Sequence, residues 1–239
     1  MTSFLAALGL ASPGPCDVIG GPDVLAVDPP AILVLGERHG TQPDLWRANR
    51  VVRRLSRRGS VTLAIEAVHT RYQPVLDRYA RGEVDARALP AQLEWESSWG
   101  FPWGPYASLV TAAHRGVHVV AAGLDLGPAP AEGTFGIPEG YASILEDSMA
   151  DHPVPKGLQD RFVRSMAWRD YSIATNAVHG WDGQGYLVIL TGRGHVEGGK
   201  GVAWQAQALS HANVASFLLA WAHPACYAGD RVWHVGPLG

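Results

Sequence analysis

The stretch ILVLGERHG, residues 32–40, joins an apolar run directly to three ionisable side chains. The aliphatic run Ala31–Gly36 is typical of a strand that is buried on both faces, as in a parallel sheet. Turn residues usually follow such a strand, but here Glu37, Arg38 and His39 follow it. Three titratable groups at this position indicate either a functional site or a solvated loop, and the rest of the chain has to decide between them.

Further apolar runs repeat this pattern, and segments with helical spacing separate them. The predicted strands after the first are Val61–Ala67, Val117–Asp125, Tyr186–Gly192 and Val214–Ala220, with residues 231–236 as a sixth candidate. Helices are predicted over Thr41–Arg58, 71–82, Pro105–Arg115 and Leu158–His179. Strands that alternate with helices predict an α/β fold with a central, mainly parallel sheet flanked by helices and a helical insertion. We expect one domain over residues 1–239, with its core at about residues 30–220.

The carboxyl ends of the predicted strands are rich in carboxylate and imidazole groups. In a parallel sheet these ends share one edge, and ligands bind beyond that edge. If the chain stays extended after the first strand, Glu37 and His39 project to the same side. Arg38 then points away and pairs on the far side. The other strand ends contribute Glu66 with His69, Asp125, and the GRGH segment that ends at His195.

Two histidines and a carboxylate that converge at one edge have two chemical uses. His39, Glu66 and His195 could hold a divalent metal such as Mn, Co, Zn or Fe with an open position for water. Without a metal, the same groups could act as a general base and its orienting acid. The alternative is that each is a hydrogen-bonded core residue or a helix cap. We favour that alternative for any one of them alone, and a site for the whole set.

Composition excludes several classes of function. With 47% hydrophobic residues, 17% charged residues and a formal net charge of −3, the chain is typical of a globular protein and lacks a basic field for nucleic acid. No apolar run approaches the roughly 20 residues that span a bilayer. The two cysteines, Cys16 and Cys226, form neither a disulfide framework nor a zinc motif. No basic residue precedes the apolar N-terminal run, so we predict a cytoplasmic protein without a secretory signal.

An ordered set of motifs resembles a known superfamily. The G-x-x-H pattern occurs as GERH and as GRGH, with AIEA, QPVLDRYARG, WGFPWGPYASLV, GLD and RDYSIATN between them. Together these segments resemble the haem-binding uptake and Tiki superfamily, which includes ChaN-like, Tiki and TraB proteins and, more distantly, the erythromycin esterases. The resemblance extends over roughly residues 30–210, and it implies an α/β fold with a mainly parallel sheet.

The resemblance also implies a set of site residues. Its catalytic candidates are Glu37, His39, Glu66 and His195, supported by Arg169 and Asp170. His39 would be the base, Glu37 or Glu66 would orient it, and His195 would bind a metal or polarise the electrophile. Arg169 could clamp a carboxylate or phosphate while Asp170 holds it, although a surface ion pair of little value is an equal alternative. We expect the substrate to contact Trp99, Trp103, Tyr106 and Asp125.

Two functions follow from the resemblance. The first is hydrolysis of an ester, lactone or amide, or a related base-catalysed elimination or cyclisation, on a small molecule or peptide in specialised metabolism. The second is haem binding for iron uptake, with Tyr72, Tyr106 or His69 as the iron ligand. For the enzyme, we expect alanine at His39 or at His195 to abolish activity and leave the fold largely intact.

Overall fold

Seven parallel strands form one sheet in the computed structural model, which describes residues 17–19, 27–124, 130–131, 133–148, 155–220 and 231–234. The strands are β1 Asp17–Ile19, β2 Ala31–Glu37, β3 Val61–His69, β4 His118–Gly123, β5 Tyr186–Gly192, β6 Asn213–Ala220 and β7 Arg231–His234. Their order across the sheet is β1-β7-β6-β2-β5-β3-β4, and the described pairings are parallel. This confirms the predicted fold class, although periodicity does not predict the three-residue strand β1.

Helices connect the strands and cover both faces of the sheet. They are α1 Gln42–Leu55, α2 Gln73–Ala80, α3 Leu89–Gln92, α4 Trp95–Ser98, α5 Trp103–Val110, α6 Tyr141–Ser148, α7 Gln159–His179 and α8 Val202–Leu209. The predicted helices correspond to α1, α2, α5 and α7 with small shifts at their ends. None of the helices in the described ranges is both long enough and apolar enough to cross a bilayer.

The central strands β2 and β5 are buried along their whole length, which explains their continuous aliphatic sequences. Alternate residues of β2 belong to two different cores. Leu33 and Leu35 join the core that contains α1, α2 and α5. Ile32 and Val34 join the core that contains α7 and α8. The two helical layers therefore leave the strand ends as the place where polar side chains can meet.

A bulge near the end of β3 directs Glu66 toward this edge. The pairing of β3 with β4 passes from Ile65 opposite Ala121 directly to His69 opposite Gly123, so four residues of β3 match two of β4. Bulges of this kind re-aim side chains next to functional sites. Gly123 permits the bulge, because a Cβ atom at this position would lie 2.1 Å from the Glu66 carbonyl oxygen.

Candidate functional site

Three adjacent strands, β2, β5 and β3, bring four of the predicted residues together around Gly192. Glu37 ends β2 and His39 follows it, Glu66 lies in the bulge of β3, and His195 lies in the turn after β5. A Cβ atom added to Gly192 would lie 2.7 Å from His39 Nε2 and 3.7 Å from His195 Cδ2. The two imidazole rings therefore flank the same point of the β5 backbone.

Glu37 holds the ring of His39 in one orientation. His39 Nδ1 lies 3.0 Å from Glu37 Oε1, which confirms that these side chains project to the same side. The Tyr106 hydroxyl donates to the same oxygen at 2.5 Å and accepts a hydrogen bond from the Gly40 N–H at 3.0 Å. A carboxylate only accepts, so the bond places the proton on Nδ1 and leaves Nε2 with a lone pair.

Arg38 takes no part in this group. Its side chain and its backbone N–H both bind the buried Asp44 carboxylate, with Nη2 to Oδ1 at 2.6 Å and both Nε and the backbone nitrogen to Oδ2 at 3.0 Å. The alternating geometry of the extended chain explains why Arg38 points away from its two neighbours.

Asp170 and Tyr141 support His195 in the same way. His195 Nδ1 lies 2.6 Å from Asp170 Oδ1, and the Tyr141 hydroxyl donates to the other oxygen of that carboxylate. On the opposite side of the ring, Nε2 lies 3.4 Å from Glu66 Oε1. Each histidine of the site thus has a buried carboxylate behind Nδ1 and a buried tyrosine behind the carboxylate.

Glu66 is held at the end of β5 by two hydrogen bonds to one of its oxygens. Oε2 accepts from the Thr191 hydroxyl at 2.7 Å and from the Gly192 N–H at 2.8 Å. Arg169 Nη2 lies 3.5 Å from Glu66 Oε1. The expectation that Asp170 holds Arg169 is wrong, because consecutive residues of α7 face different directions and Asp170 is bonded to His195 and Tyr141.

The two glutamates of the site have pKa shifts of opposite sign. Burial raises the pKa of the Glu37 carboxyl, although its bonds to His39 and Tyr106 oppose the shift. Burial would also raise the pKa of Glu66, but the charge of His195 and the bond from the Gly192 N–H hold it below its usual range. Opposite shifts in neighbouring carboxyl groups indicate different chemical roles.

His195 favours its protonated form. Burial opposes this, but the carboxylates of Glu66 and Asp170 raise the pKa of the ring above its ordinary value. A protonated His195 and an ionised Glu66 form a buried ion pair at the site.

The pH dependence of stability should reveal this ion pair. The pKa of His195 is raised in the folded protein, so protonation of the ring stabilises the fold. This stabilisation is complete below about pH 6.5, the ordinary pKa of histidine, and is lost as the pH rises through the raised pKa. We expect NMR titration of the His195 ring to give a midpoint above about 6.5, and urea unfolding to show falling stability over the same pH range. A ring that titrates below that value would contradict the assignment.

The other predicted contact residues have different positions relative to the site. Trp99 packs edge-on against the His39 ring with centroids 4.7 Å apart. Trp103 is half-buried and packs on Trp95. Tyr106 was predicted to contact the substrate. It is fully buried beneath Glu37, so it supports that carboxylate instead. Asp125 lies outside the described residues.

The proposed metal ligands do not form a ligand set. Within the described ranges, no three His, Cys, Asp or Glu side chains surround a common point as they would around an ion. Nδ1 of each histidine is taken by a carboxylate, and His195 Nε2 faces Glu66. The arrangement of His39, Glu66 and His195 therefore does not fit a metal centre, and we derive no step through a metal.

The predicted haem ligands Tyr72, Tyr106 and His69 have different surroundings. The hydroxyl groups of Tyr72 and Tyr106 donate to Glu94 at 2.7 Å and to Glu37 at 2.5 Å. Burial, together with these carboxylates, raises the pKa of both tyrosines, which disfavours the phenolate that binds ferric haem. The two tyrosines do not fit haem ligation, whereas His69 is a half-buried side chain at the end of β3.

Sequence reasoning missed Thr191 and Tyr141. Thr191 directly precedes the second G-x-x-H motif, and a hydroxyl next to a strand-end glycine is a usable signal for a carboxylate partner. Tyr141 is separated from Asp170 by 29 positions along the chain, and no local pattern indicates the contact.

Comparison with known proteins places this fold and sequence in a family. No curated protein sequence matches the chain. The fold is similar to ChaN of Campylobacter jejuni, described with cofacial haem binding, at 20% identity over 82% of this chain and 85% of that chain, with a TM-score of 0.64. It is also similar to the C-terminal region of Pasteurella multocida toxin, described with a thiol-protease-like catalytic triad, at 11% identity over 85% of this chain and 25% of that chain, with a TM-score of 0.51.

These structural likenesses show the fold alone, because the identities are low. The sequence carries the family assignment: residues 26–206, most of the chain, match the family model "Haem-binding uptake, Tiki superfamily, ChaN". The chain therefore belongs to the haem-binding uptake, Tiki superfamily, ChaN family.

Proposed function

We propose that this chain is a hydrolase that cleaves an ester, lactone or amide of a small molecule or peptide, with His39 as its general base. A buried carboxylate oxygen, Glu37 Oε2, carries the proposal, because it has no hydrogen-bond partner in the described part of the chain and belongs to the carboxylate that holds His39. A buried acceptor without a partner costs about 1–3 kcal/mol, and more when it is charged. Such an oxygen, on the carboxylate that orients His39, is suited to accept a hydrogen bond from water.

His39 has the orientation that a general base needs. With Nδ1 held by Glu37, Nε2 accepts a proton from water while the water oxygen bonds to the carbonyl carbon and the carbonyl electron pair moves to its oxygen. The tetrahedral intermediate then collapses, the bond to the leaving oxygen or nitrogen breaks, and the protonated His39 returns the proton to the leaving group. The Glu37 carboxylate stabilises the imidazolium between these two steps.

Two cationic side chains lie on the other side of Gly192, where an oxyanion would develop. The protonated His195 and the guanidinium of Arg169 both lie next to Glu66, at 3.4 and 3.5 Å from Oε1. Arg169 is 36% exposed, so its charge can reach a bound substrate. Cations that are fixed before the reaction stabilise developing negative charge without reorganisation. In this proposal Glu66 positions the two cations and is not itself the base.

Isotope labelling tests the reaction class. The wild type is incubated with activated esters, lactones and short peptides in ¹⁸O-labelled water, and His39→Gln serves as the comparison. We expect turnover of at least one class, with the label in the acid product and loss of turnover in His39→Gln. Turnover that persists in His39→Gln would contradict the role of His39, and an unlabelled product would assign the same base to elimination or cyclisation.

Gly192→Ala should reduce activity while the protein stays folded. Alanine accepts the backbone conformation of Gly192, but its methyl group would lie 2.7 Å from His39 Nε2 and would displace the ring. A displacement of the order of 1 Å is expected to reduce kcat/KM by about 10²-fold. Gly194→Ala is the matched control, because a Cβ atom at Gly194 meets nothing within 4 Å. Equal activity of the two variants in the ester assay would contradict the position assigned to His39.

Haem binding is the second candidate function, and family membership favours it. Because the two tyrosines do not fit, we propose His69 as the iron ligand. Titration with haemin should then produce a sharp Soret band near one haem per chain that is lost in His69→Ala and kept in Tyr72→Phe. The same spectrum in all three proteins would exclude His69 as the ligand.

A further inference from the structure

We propose that an open cavity beside His39 binds the organic ammonium group of a substrate. The cavity has a volume of about 860 Å³ and lies along α3, α4 and the start of α5. This inference rests on the proposed function, since it names the substrate class of the same site, but the ligand can be tested without any turnover.

Aromatic rings form one part of the cavity wall. Trp103 and Phe101 both line the cavity. Trp103 is half-buried, and Phe101 is 39% exposed. Trp95 supports both: its ring packs on Trp103 with centroids 4.9 Å apart, and its Nε1–H donates to the Phe101 carbonyl at 2.7 Å. Faces of tryptophan and phenylalanine attract cations through their π electrons, and quaternary ammonium ligands are bound in this way.

Carboxylates form the other part of the wall. Glu94 and Glu96 line the cavity, and none of the described residues that line it is lysine, arginine or histidine. One oxygen of Glu94 accepts a hydrogen bond from the Tyr72 hydroxyl, which in turn accepts one from Arg71. These bonds offset part of the negative charge of Glu94. The combination of aromatic surface and negative charge selects a cation over a neutral group of the same shape.

The cavity adjoins the catalytic group through Phe101. The Phe101 ring lies 5.2 Å from the His39 ring, centroid to centroid, and it also lines the cavity. A substrate could therefore place its carbonyl group at His39 and an ammonium group, on a short chain, beyond Phe101. The substrate class implied is an ester, lactone or amide that carries an ammonium group near the bond that breaks.

Choline and its neutral isostere 3,3-dimethylbutan-1-ol separate charge from shape. Binding of each is followed by NMR of the indole N–H resonances of Trp95 and Trp103, assigned with Trp→Phe variants. We expect choline to shift these resonances and to bind about 5–10-fold more tightly than the isostere. Glu96→Gln should weaken choline binding about threefold and leave the isostere unchanged. Glu146→Gln, which removes an exposed carboxylate that does not line the cavity, is the matched control.

Equal affinity for the two probes, or choline shifts confined to other residues, would overturn the inference. Equal weakening by Glu96→Gln and Glu146→Gln would also overturn it, because the effect would then be one of net charge. The outcome is independent of catalysis: if choline binds as expected but no ester is cleaved, the proposed hydrolase activity fails and the cation site stands. If the hydrolase activity and the cation site are both found, acetylcholine should have a higher kcat/KM than 3,3-dimethylbutyl acetate. Glu96→Gln should then reduce the difference in kcat/KM between these two esters.

Discussion

Replacement of His195 by alanine is expected to lower the free energy of unfolding by about 3–5 kcal/mol. The residue is only 6% exposed, and its ring lies between Asp170 Oδ1 and Glu66 Oε1. Alanine would leave Asp170 without its cation and Glu66 with Arg169 alone, and a buried charge that has lost its partner is strongly destabilising. The structure thus changes the sequence-based expectation that this variant leaves the fold largely intact.

Urea unfolding near pH 7 measures the effect, and two further variants show its cause. His118→Ala removes an exposed histidine and should change the free energy of unfolding by no more than about 0.5 kcal/mol. His195→Ala combined with Asp170→Asn should be more stable than His195→Ala alone, because burial disfavours the ionised form of Asp170, whose pKa is raised even beside His195, and Tyr141 can still donate to the amide oxygen. If the double variant is the less stable, the loss comes from the cavity and not from unpaired charge.

Replacement of His39 by alanine is expected to reduce kcat/KM by about 10²–10⁴-fold, the usual contribution of a general base. The fold should tolerate the change, because the side chain is 29% exposed and Glu37 keeps its bond from Tyr106. We expect a loss of no more than about 1–2 kcal/mol in the free energy of unfolding, from one hydrogen bond and the ring contacts. The two histidine variants should therefore separate in stability: His195→Ala loses several kcal/mol of the free energy of unfolding, whereas His39→Ala loses turnover in a fold that stays stable.

Kinetics on the best ester or amide from the labelling experiment measure the loss, with urea unfolding in parallel. Added imidazole should restore part of the turnover of His39→Ala, because the ring that it replaces is partly open to solvent. His118→Ala is the control, since His118 is an exposed histidine at the start of β4 and has no part in the proposed step. Unchanged kcat/KM in a folded His39→Ala would remove this residue from the catalytic group.

The aliphatic runs were enough to locate the main strands and their ends. Ala31–Gly36 and Tyr186–Gly192 are buried on both faces, and a strand in that environment is apolar at nearly every position, so its sequence differs from that of the loops around it. Parallel pairing then places the carboxyl ends of all the strands at one edge of the sheet. This is why we could predict that Glu37, His39, Glu66 and His195 meet. The contact of Glu37 with His39 follows from the two-residue period of an extended chain.

The partners behind these residues depend on contacts between elements that are far apart in the sequence. Tyr106 meets Glu37 across 69 positions and Tyr141 meets Asp170 across 29, so neither contact has a local signal. The bulge that aims Glu66 needs the close approach of Gly123, which no period of hydrophobicity records. Local patterns thus specify which side chains reach the edge of the sheet. Packing between distant elements specifies their orientation and charge, because burial and hydrogen bonding depend on the whole surroundings of each group.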